Sequence, residues 1–336
     1  MRKVVIVGCG GRGKAHAGAL AKEPRAKVVA LADARRESAE AMDAEYGFGA
    51  AIYDDHRRML EIEQPEVVVI ALWTPLHLPV FKDCIAAGVK AVLSEKPMAP
   101  TWGECREMAR LAEENGVQLT FSHQRRFATG NRLARDLIAE GRFGTIERLD
   151  LYSPPNLLDC GTHTFDQAMS FLGETPAKWV LAAVDTSKLV RWFDVSAEGM
   201  AIGSIAFENG VRASFQVGGP DLDMWSGVRL YGSEGHFAVL WDGQFRTCLR
   251  YDDPSWSAEP KEDTQEDHME KMVHEVFDCQ ETGAESEVSA RKALRAAEII
   301  FGCYESVRRH ERVDLPLTGV EDNPFLSMLA AGAFER

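Results

Sequence analysis

The chain has 336 residues, which is long enough for two domains, and 45% of them are hydrophobic, which is enough for two buried cores. The formal net charge of −14 argues against a nucleic acid or an anionic membrane as partner, because either requires a basic face. Seven cysteines without a Cys-x-x-Cys pair argue against a disulfide framework or a zinc ribbon. The sequence has no long apolar run typical of a membrane helix or a signal peptide, and we expect a soluble, cytoplasmic protein.

Residues 1–122 alternate short apolar strands with helical patterns. Strands are predicted at "KVVIVG", "KVVALAD", "EVVVIALW", "KAVLSEKP" and "QLTFS", and helices at residues 15–22, 35–46, 78–87 and 102–115. Near-continuous apolar strands separated by helices are typical of a parallel sheet that is covered on both faces. We therefore predict an α/β protein whose first domain, residues 1–122, is a doubly wound parallel sheet.

Residues 123–336 follow a different pattern. Helices are predicted at residues 126–140, 160–172, 266–280 and 290–309, with a strand at residues 146–152. Further strands lie in "KWVLAAV", "GMAIGSIAFENGVRASFQVGG" and "SGVRLYGSEGHFAVLWDGQF", where "ENG" and "GSEG" indicate hairpin turns. The acidic segment "YDDPSWSAEPKEDTQED" is predicted to be a solvated loop. We predict a second, α+β domain with a large, mostly antiparallel open sheet.

A glycine motif joins the first strand to the first helix. Gly8, Gly10 and Gly13 match G-x-G-x-x-G, which permits a tight turn, a close backbone approach to a pyrophosphate, and packing of helix on strand. Asp33 ends the second strand about 20 residues later, where a carboxylate binds the ribose hydroxyls of NAD. The motif predicts a Rossmann-type dinucleotide site.

The choice between NAD and NADP depends on three charged residues. Asp33 favours NAD, because a carboxylate repels the additional phosphate of NADP. Arg35 and Arg36 follow the same strand and leave NADP as an alternative, since guanidinium groups pair with phosphate. We predict NAD as the cofactor.

Two further stretches carry reactive side chains. "LSEKPMAP" places Lys96 at the carboxyl edge of a parallel strand, where it would stabilise an alkoxide or else be a surface charge. "LLDCGTHTFD" places Asp159 and His163 four residues apart, on one face of a helical turn. The spacing fits an acid/base pair, an N-cap formed by Asp159, or a metal site completed by Asp166. We predict that no metal is bound.

Taken together, these motifs resemble the Gfo/Idh/MocA oxidoreductases. "GCGGRG" with Asp33, "TPLHLPVFKDCIAAGVKAVLSEKPMAPT", "DCGTHTFD" and the closing "AEIIFGCYESVRRHERVDLPL" extend the resemblance over almost the whole chain. The resemblance implies that Lys96 works beside a nicotinamide and that Asp159 and His163 face it as an acid/base pair. It also implies a second domain, residues 123–336, that binds substrate and forms oligomers.

The motifs and the resemblance give three groups of predicted site residues. The catalytic residues are Lys96, Asp159 and His163. The cofactor-binding residues are Gly8, Gly10, Gly11, Arg12, Gly13, Asp33, Thr74, Pro75, His77, Glu95 and Lys96. The substrate-binding residues are Lys96, Gln124, Arg125, Tyr152, Asn156, Asp159 and His163, with Trp73 and His77 as further residues that could line the pocket.

The segment before Asp159 departs from the family pattern. The family commonly has a longer, glycine-rich segment there, whereas this chain has "LYSPPNLLDCG", so the substrate does not follow from the resemblance. Arg125 and Arg126 either bind a carboxylate or phosphate of a sugar acid or are surface charges at a helix start.

The resemblance implies an NAD-dependent dehydrogenase that oxidises a secondary alcohol of a sugar, polyol or cyclitol. One alternative is an enzyme that retains NAD and uses transient oxidation to cleave a glycoside or to move a hydride between sugars. A second alternative is a non-catalytic NAD-binding sensor. The apolar strands "MAIGSIAF" and "HFAVLW" lead us to expect a homodimer or homotetramer.

Overall fold

The computed structural model describes residues 1–192, 194–219 and 226–334. The helices are α1 (Gly11–Ala21), α2 (Arg36–Tyr46), α3 (His56–Glu63), α4 (His77–Ala86), α5 (Trp102–Asn115), α6 (Thr129–Ala139), α7 (Thr162–Phe171), α8 (Gln265–Thr282), α9 (Ala290–Arg309) and α10 (Pro324–Ala330). The strands are β1 (Arg2–Val7), β2 (Ala26–Ala32), β3 (Ala51–Tyr53), β4 (Val67–Ile70), β5 (Ala91–Ser94), β6 (Gln118–Phe121), β7 (Ile146–Ser153), β8 (Ala177–Asp185), β9 (Val190–Trp192), β10 (Val195–Ala197), β11 (Met200–Phe207), β12 (Arg212–Gly218), β13 (Gly227–Gly232), β14 (Gly235–Leu240), β15 (Phe245–Arg250) and β16 (Val313–Asp314).

Six strands form a parallel sheet in the order β3-β2-β1-β4-β5-β6. Val4, Val5 and Ile6 of the central strand β1 have no exposed surface, because helices cover both faces of a parallel sheet. The strand order reverses between β1 and β4, and at such a switch point the loops diverge and leave a crevice at the carboxyl ends of the strands. The predicted doubly wound domain is confirmed.

Eight strands form a second sheet in the order β15-β14-β13-β7-β12-β11-β8-β16. The pair β7 and β12 is parallel and the other pairs are antiparallel. Alternate residues of β12 are buried, and Phe215 packs edge-on against Phe165 of α7, with ring centroids 5.3 Å apart. Helix α7 therefore covers the apolar face of this sheet, and the predicted α+β domain with a mostly antiparallel sheet is confirmed.

The chain forms two compact units, each built around one of the sheets. The first comprises residues 1–99, 104–124 and 265–293, and the second comprises residues 100–103, 125–264 and 294–336. The sequence-based division at residue 122 falls two residues before the main crossing after residue 124. Residues 265–293 differ from that linear division, because α8 packs on α1 rather than on the second sheet. A helical pattern in a sequence does not say which sheet the helix covers.

The helices begin and end differently from the sequence prediction at several turns. Helix α1 begins at Gly11, four residues before the prediction, since the glycine turn has no apolar period. The helix predicted at residues 126–140 consists of a 3₁₀ turn (Gln124–Phe127) and α6, and the one predicted at 160–172 consists of a π turn (Leu157–Gly161) and α7. Short elements such as β3, β9, β10, β15, α3 and α10 have too little pattern to be predicted.

The acidic segment that was predicted to be a loop is irregular and mostly exposed up to residue 264. Helix α8 begins within this segment at Gln265. Within the described part of the chain, no helix is long and apolar enough to span a membrane.

Candidate functional site

The glycine turn after β1 is closed by contacts that only glycine permits. Gly8 has φ +98°, and a Cβ atom there would lie 2.2 Å from the carbonyl oxygen of Ala71. A Cβ atom on Gly13 would lie 2.0 Å from the carbonyl oxygen of Gly8. By contrast, no atom of the described residues lies within 4 Å of a Cβ built on Gly10 or Gly11. The turn is therefore tightly packed at Gly8 and Gly13 and open at Gly10 and Gly11.

The open side of this turn fits the pyrophosphate of a dinucleotide. Gly10 is the N-cap of α1 and forms no side-chain cap, so the first N–H groups of the helix have no partner within the helix. The first turn also contains no acidic residue. Unpaired N–H groups and the positive end of the helix dipole attract an anion.

Asp33 at the end of β2 is held by the backbone on both of its oxygens. Its Oδ2 accepts a hydrogen bond from the Cys9 N–H at 2.7 Å, and its Oδ1 accepts one from the Arg35 N–H at 2.8 Å. A carboxylate has about four acceptor sites, so ribose hydroxyls can still donate to it. Burial and the nearby Asp33 charge raise the pKa of the Cys9 thiol to about 12, so Cys9 stays protonated.

A cleft of about 510 Å³ lies beside Asp33 in the first unit. Its walls are formed by Gly8, Gly10, Asp33, Ala34, Arg35, Ala71, Leu72, Trp73 and Leu76. Trp73 is 60% exposed, which gives the cleft one flat apolar wall. The structure thus places Trp73 with the nucleotide residues rather than in a substrate pocket. Arg36, 2.8 Å from Glu40 of the same helix, does not line this cleft.

The predicted residues after β4 lie in a 3₁₀ turn that begins α4. Thr74 is buried and Pro75 half-buried in this turn. His77 is fully buried, and its ring nitrogens lie 3.1 Å from the carbonyl oxygens of Leu72, Pro97 and Met98. Burial lowers the pKa of His77, which keeps the ring neutral. The ring has no surface left for a ligand, so we replace the predicted cofactor contact with a role in holding two loops together.

Glu95 follows β5 directly and forms a buried charge cluster with helix α1. Its Oε1 accepts a hydrogen bond from Arg12 Nε at 2.9 Å and lies 2.8 Å from His16 Nε2. Burial would raise the pKa of Glu95, but the His16 hydrogen bond and the Arg12 charge outweigh it and hold the pKa well below its usual range. The Oε2 atom is buried and has no hydrogen-bond partner among the described residues. The predicted pair Arg12 and Glu95 therefore positions α1, and Oε2 remains as an acceptor for a ligand.

Lys96 and Gln124 lie at the carboxyl ends of neighbouring strands in the first unit. Lys96 is the second residue after β5 and is 8% exposed, with a cis bond to Pro97. Gln124 begins the 3₁₀ turn after β6 and is 7% exposed. Its Oε1 atom has no hydrogen-bond partner among the residues described.

The π turn of the second unit places Asp159 and His163. Asn156 caps this turn, since its Oδ1 accepts the Asp159 N–H at 2.8 Å. The N-cap role that the sequence left open for Asp159 is therefore taken by Asn156, because the helical segment begins earlier than the sequence pattern indicates. Asp159 and His163 are each 4% exposed, Asp159 within the π turn and His163 in the first turn of α7.

A second buried carboxylate anchors the same turn. Glu198 Oε1 accepts the Leu157 N–H at 2.8 Å, and Glu198 Oε2 accepts the hydroxyl of Tyr304 at 2.6 Å. Burial raises the pKa of Glu198. Sequence reasoning misses Glu198, Tyr304 and the His16 partner of Glu95. His16 has a weak signal, as a polar residue on the buried face of α1, whereas Glu198 and Tyr304 are too far apart in the chain to give one.

The remaining predicted residues of the second unit have separate surroundings. Arg126 is buried and binds Asp166 through Nε and Nη2, both at 2.7 Å, so it is neither a surface charge nor a ligand-binding group. This pairing also occupies the third residue of the suggested metal site, and no cluster able to hold a metal occurs among the described residues. Arg125 is half-buried beside Cys160, and Tyr152 is half-buried in β7.

Comparison with known proteins decides the family. Residues 2–123 match the oxidoreductase family model GFO_IDH_MocA, NAD-binding Rossmann fold, and residues 153–315 match its C-terminal alpha/beta domain. The chain belongs to the Gfo/Idh/MocA oxidoreductase family. The Gfo/Idh/MocA resemblance of the sequence motifs is thereby confirmed, as is the prediction of an NAD-binding domain.

Relatives within the Gfo/Idh/MocA family are dehydrogenases and reductases. D-glucoside 3-dehydrogenase of Escherichia coli (strain K12) is 29% identical over 238 residues, covering 62% of this chain and 67% of the relative. The 1,5-anhydro-D-fructose reductase of Ensifer adhaerens is 29% identical over 228 residues, with the same shares of 62% and 67%. A levoglucosan dehydrogenase solved with NADH and L-sorbose shares the fold, with TM-score 0.80, 20% identity, and coverage of 94% of this chain and 99% of that one.

Proposed function

We propose that this Gfo/Idh/MocA enzyme is an NAD-dependent dehydrogenase that oxidises a secondary alcohol of a sugar, polyol or cyclitol. The observation that carries the proposal is the presence of Lys96 at the carboxyl edge of the NAD-binding sheet in a chain that also carries the buried pair Asp159 and His163. The names of the relatives, which include a D-glucoside 3-dehydrogenase and an inositol 2-dehydrogenase of Rhizobium meliloti (strain 1021), support this substrate class.

The first unit supplies the residues that would hold NAD. The open backbone at Gly10 and Gly11 and the unpaired N–H groups of α1 bind the pyrophosphate, and Asp33 accepts the ribose hydroxyls. Glu95 Oε2 and Gln124 Oε1 are buried acceptors that a bound ligand would satisfy. NAD, when bound, supplies a two-electron hydride acceptor.

The protein's own groups handle the proton and the charge on the substrate oxygen. His163 accepts the hydroxyl proton, because a neutral imidazole is a suitable base near neutral pH. The ammonium group of Lys96 stabilises the negative charge that develops on the oxygen as the carbon–hydrogen bond breaks. Asp159 orients His163 and favours its protonated form. The substrate ends as a ketone, and one proton is released.

Substitution of His163, the proposed base, and of Lys96, the proposed stabilising cation, tests these roles. We expect Lys96→Met and His163→Asn each to lower kcat by about 10²–10⁴-fold, the usual contribution of a general acid or base, while NAD binding measured by calorimetry is retained. Lys90→Met and His310→Asn are matched controls on the surface, and asparagine tolerates the left-handed backbone of His310. Unchanged kcat in both site variants would refute the assignment. Formation of free NADH by the unmodified enzyme separates a dehydrogenase from one that recycles bound NAD.

The second sheet bears on the oligomeric state of the protein, and the cysteines bear on its cellular location. Leu181 of β8 and Ile202 of β11 are each 46% exposed, and we propose that this face of the second sheet joins subunits into a homodimer or homotetramer.

All seven cysteines are free thiols, and six of them are buried. Free thiols suit a reducing compartment, and we propose a cytoplasmic location.

A further inference from the structure

Two consecutive arginines in the second unit have opposite electrostatic surroundings. Arg126 is 2% exposed and has two carboxylate partners, Asp166 at 2.7 Å and Glu174 at 2.5 Å. Arg125 has no carboxylate within ion-pair distance among the described residues. Within the described part of the chain, Arg126 is therefore neutralised by ion pairs, whereas Arg125 has no carboxylate as an ion-pair partner.

The Arg125 guanidinium is nevertheless held in place. Its Nη1 donates to Ser226 Oγ and its Nη2 to Cys160 Sγ, each at 3.4 Å, and its carbon Cζ lies 5.6 Å from the ring centroid of Trp241. The Asn131 side chain fixes its backbone by donating to the Arg125 carbonyl oxygen at 2.7 Å. A guanidinium has five N–H donors, and these long contacts satisfy only part of them.

The surroundings make this isolated charge costly. Burial lowers the pKa of Arg125, and the contact with Cys160 and the charges of Asp159 and Asp242 offset only part of that effect. A cation withdrawn from water without a bound counter-ion is destabilising, and an anionic ligand that binds there would regain the lost interaction. Arg125 is half-buried rather than fully enclosed. The contact with Cys160 places the guanidinium at the turn that carries Asp159.

We propose that Arg125 binds an anionic group, a carboxylate or a phosphate, carried by the carbohydrate substrate. The inference rests on the proposed function, since it assigns the charge of the same substrate. The planar guanidinium fork binds both kinds of anion through paired N–H donors. Trp241 beneath the guanidinium restricts its orientation and leaves its edge for the ligand. The substrate class is therefore a sugar acid or a sugar phosphate rather than a neutral sugar.

Matched pairs of sugars at saturating NAD test the inference. We would compare D-glucose with D-glucuronate and with D-glucose 6-phosphate, and myo-inositol with its monophosphate, by initial rates of NADH formation. We expect kcat/KM to be at least about tenfold higher for the anionic member of a pair, because charge-assisted hydrogen bonds are among the strong ones. A higher kcat/KM for D-glucuronate identifies a carboxylate as the bound anion, and a higher kcat/KM for D-glucose 6-phosphate identifies a phosphate.

Arg125→Gln is the diagnostic variant. It should lower kcat/KM for the anionic member by about 10–100-fold more than for the neutral member, and Arg125→Lys should retain part of the preference. Arg142→Gln is the matched control, since Arg142 is 47% exposed and pairs with Glu140 at the surface. Equal losses on both members of a pair would overturn the inference.

A measurement on the unmodified enzyme guards against variants that do not fold. Between about 0.05 and 0.5 M NaCl, the KM of the anionic member should rise while that of the neutral member stays constant, because salt screens the guanidinium. A salt-independent KM, or equal use of neutral and anionic sugars, would overturn the role of Arg125 and keep the dehydrogenase. NAD binding without turnover of any pair would instead overturn the proposed function, and this inference with it.

Discussion

Asp33 is the residue whose charge we propose selects between the two nicotinamide dinucleotides. Its carboxylate faces the nucleotide cleft and is fixed by the N–H groups of Cys9 and Arg35. Replacing a carboxylate by an amide removes the repulsion of an additional phosphate and turns one acceptor atom into a donor. The selectivity of the site therefore depends on one atom of one side chain.

We expect Asp33→Asn to raise the KM for NAD about tenfold and to raise the ratio of kcat/KM for NADP over NAD by at least about tenfold, since a single lost charge contact is worth about this much. Steady-state kinetics with both cofactors provides the measurement. Arg36→Gln is the control and should change neither value, because Arg36 pairs with Glu40 in its own helix. Equal use of NAD and NADP by the unmodified enzyme would contradict the prediction.

Single residues were predictable where the chemistry is local. Gly13 packs against Gly8 within the same turn, and Gly8 packs against the backbone that follows the adjacent strand β4. The spacing of the two glycines alone indicates the turn. His16 and Glu95 are 79 residues apart, and Glu198 and Tyr304 are 106 apart. Each of these pairs forms only when the sheet is assembled, so no spacing rule indicates it.

At the scale of elements, the π turn from Leu157 to Gly161 is fixed at its start by two side chains. Asn156 accepts from the Asp159 N–H, and Glu198 accepts from the Leu157 N–H. Both bonds satisfy N–H groups that the beginning of a helical segment leaves unpaired. The backbone position of Asp159 thus depends on these two side chains.

We expect Asn156→Ala to lower the free energy of unfolding by about 1 kcal/mol, the usual cost of losing an N-cap, and to lower kcat more than KM, because Asp159 then orients His163 less well. Asn156→Ser should restore most of the stability and of kcat, since serine is also a good cap. Urea unfolding and steady-state kinetics measure the two effects. Full kcat in Asn156→Ala would show that the cap is not needed for the orientation of Asp159.

Helix α8 is joined to the chain just after α1 by a charge cluster around Glu23. Arg25 donates to both oxygens of Glu23, at 2.6 and 2.9 Å, and His274 of α8 lies 2.9 Å from Glu23 Oε2. Burial would raise the pKa of Glu23, but the hydrogen bonds from Arg25 and His274 lower it from 4.5 to about 2. A lowered carboxyl pKa stabilises the fold above pH 4.5, and this contribution disappears as the pH falls towards 2.

We expect Glu23→Gln to lower the free energy of unfolding at pH 7 by about 2 kcal/mol, after allowance for solvent screening of the partly exposed Arg25. The difference between variant and unmodified protein should shrink as the pH falls from about 5 to about 3, which urea unfolding at several pH values would measure. Glu281→Gln is the control, because Glu281 is 52% exposed and lies 3.3 Å from Arg25, and its effect should stay below about 0.5 kcal/mol. A difference that is independent of pH would rule out the ion pair as its source.

At the scale of the whole molecule, the second sheet presents an apolar face. Leu181 and Ile202 lie on adjacent antiparallel strands, where Ile202 is opposite Ala183 and Leu181 is opposite Ser204. Alternate residues of a strand share one face, so these four residues form one patch. The proposed subunit interface would remove Leu181 and Ile202 from water.

If the proposed homo-oligomer forms through this patch, Ile202→Glu should convert it into smaller species, because a carboxylate in an apolar interface must be desolvated without a partner. Light scattering coupled to gel filtration would show the loss of mass. Ile62→Glu is the control, since Ile62 is 55% exposed on α3 of the other unit and its replacement should leave the mass unchanged. An unchanged mass for Ile202→Glu would exclude this patch as the interface.

Sequence patterns predicted both folds, but not how the chain is shared between them. The apolar strands of the first sheet and the alternating strands of the second differ in period, which reveals two architectures. The destination of α8 depends on Glu23 and Arg25, which lie 251 and 253 residues before their partners His274 and Asp278. Residue pairs that lie so far apart in the chain produce no periodic pattern in the sequence.

The return of residues 265–293 to the first unit has a consequence for biosynthesis. A ribosome releases the six strands of the NAD-binding sheet first, but the Phe121 N–H finds its partner, the Val288 carbonyl oxygen, only after nearly all of the second sheet has emerged. The outer side of α1 also remains uncovered until α8 has been made. The part of the protein that is translated first is therefore completed late, because the partners of α1 and of Phe121 are made only after residues 125–264.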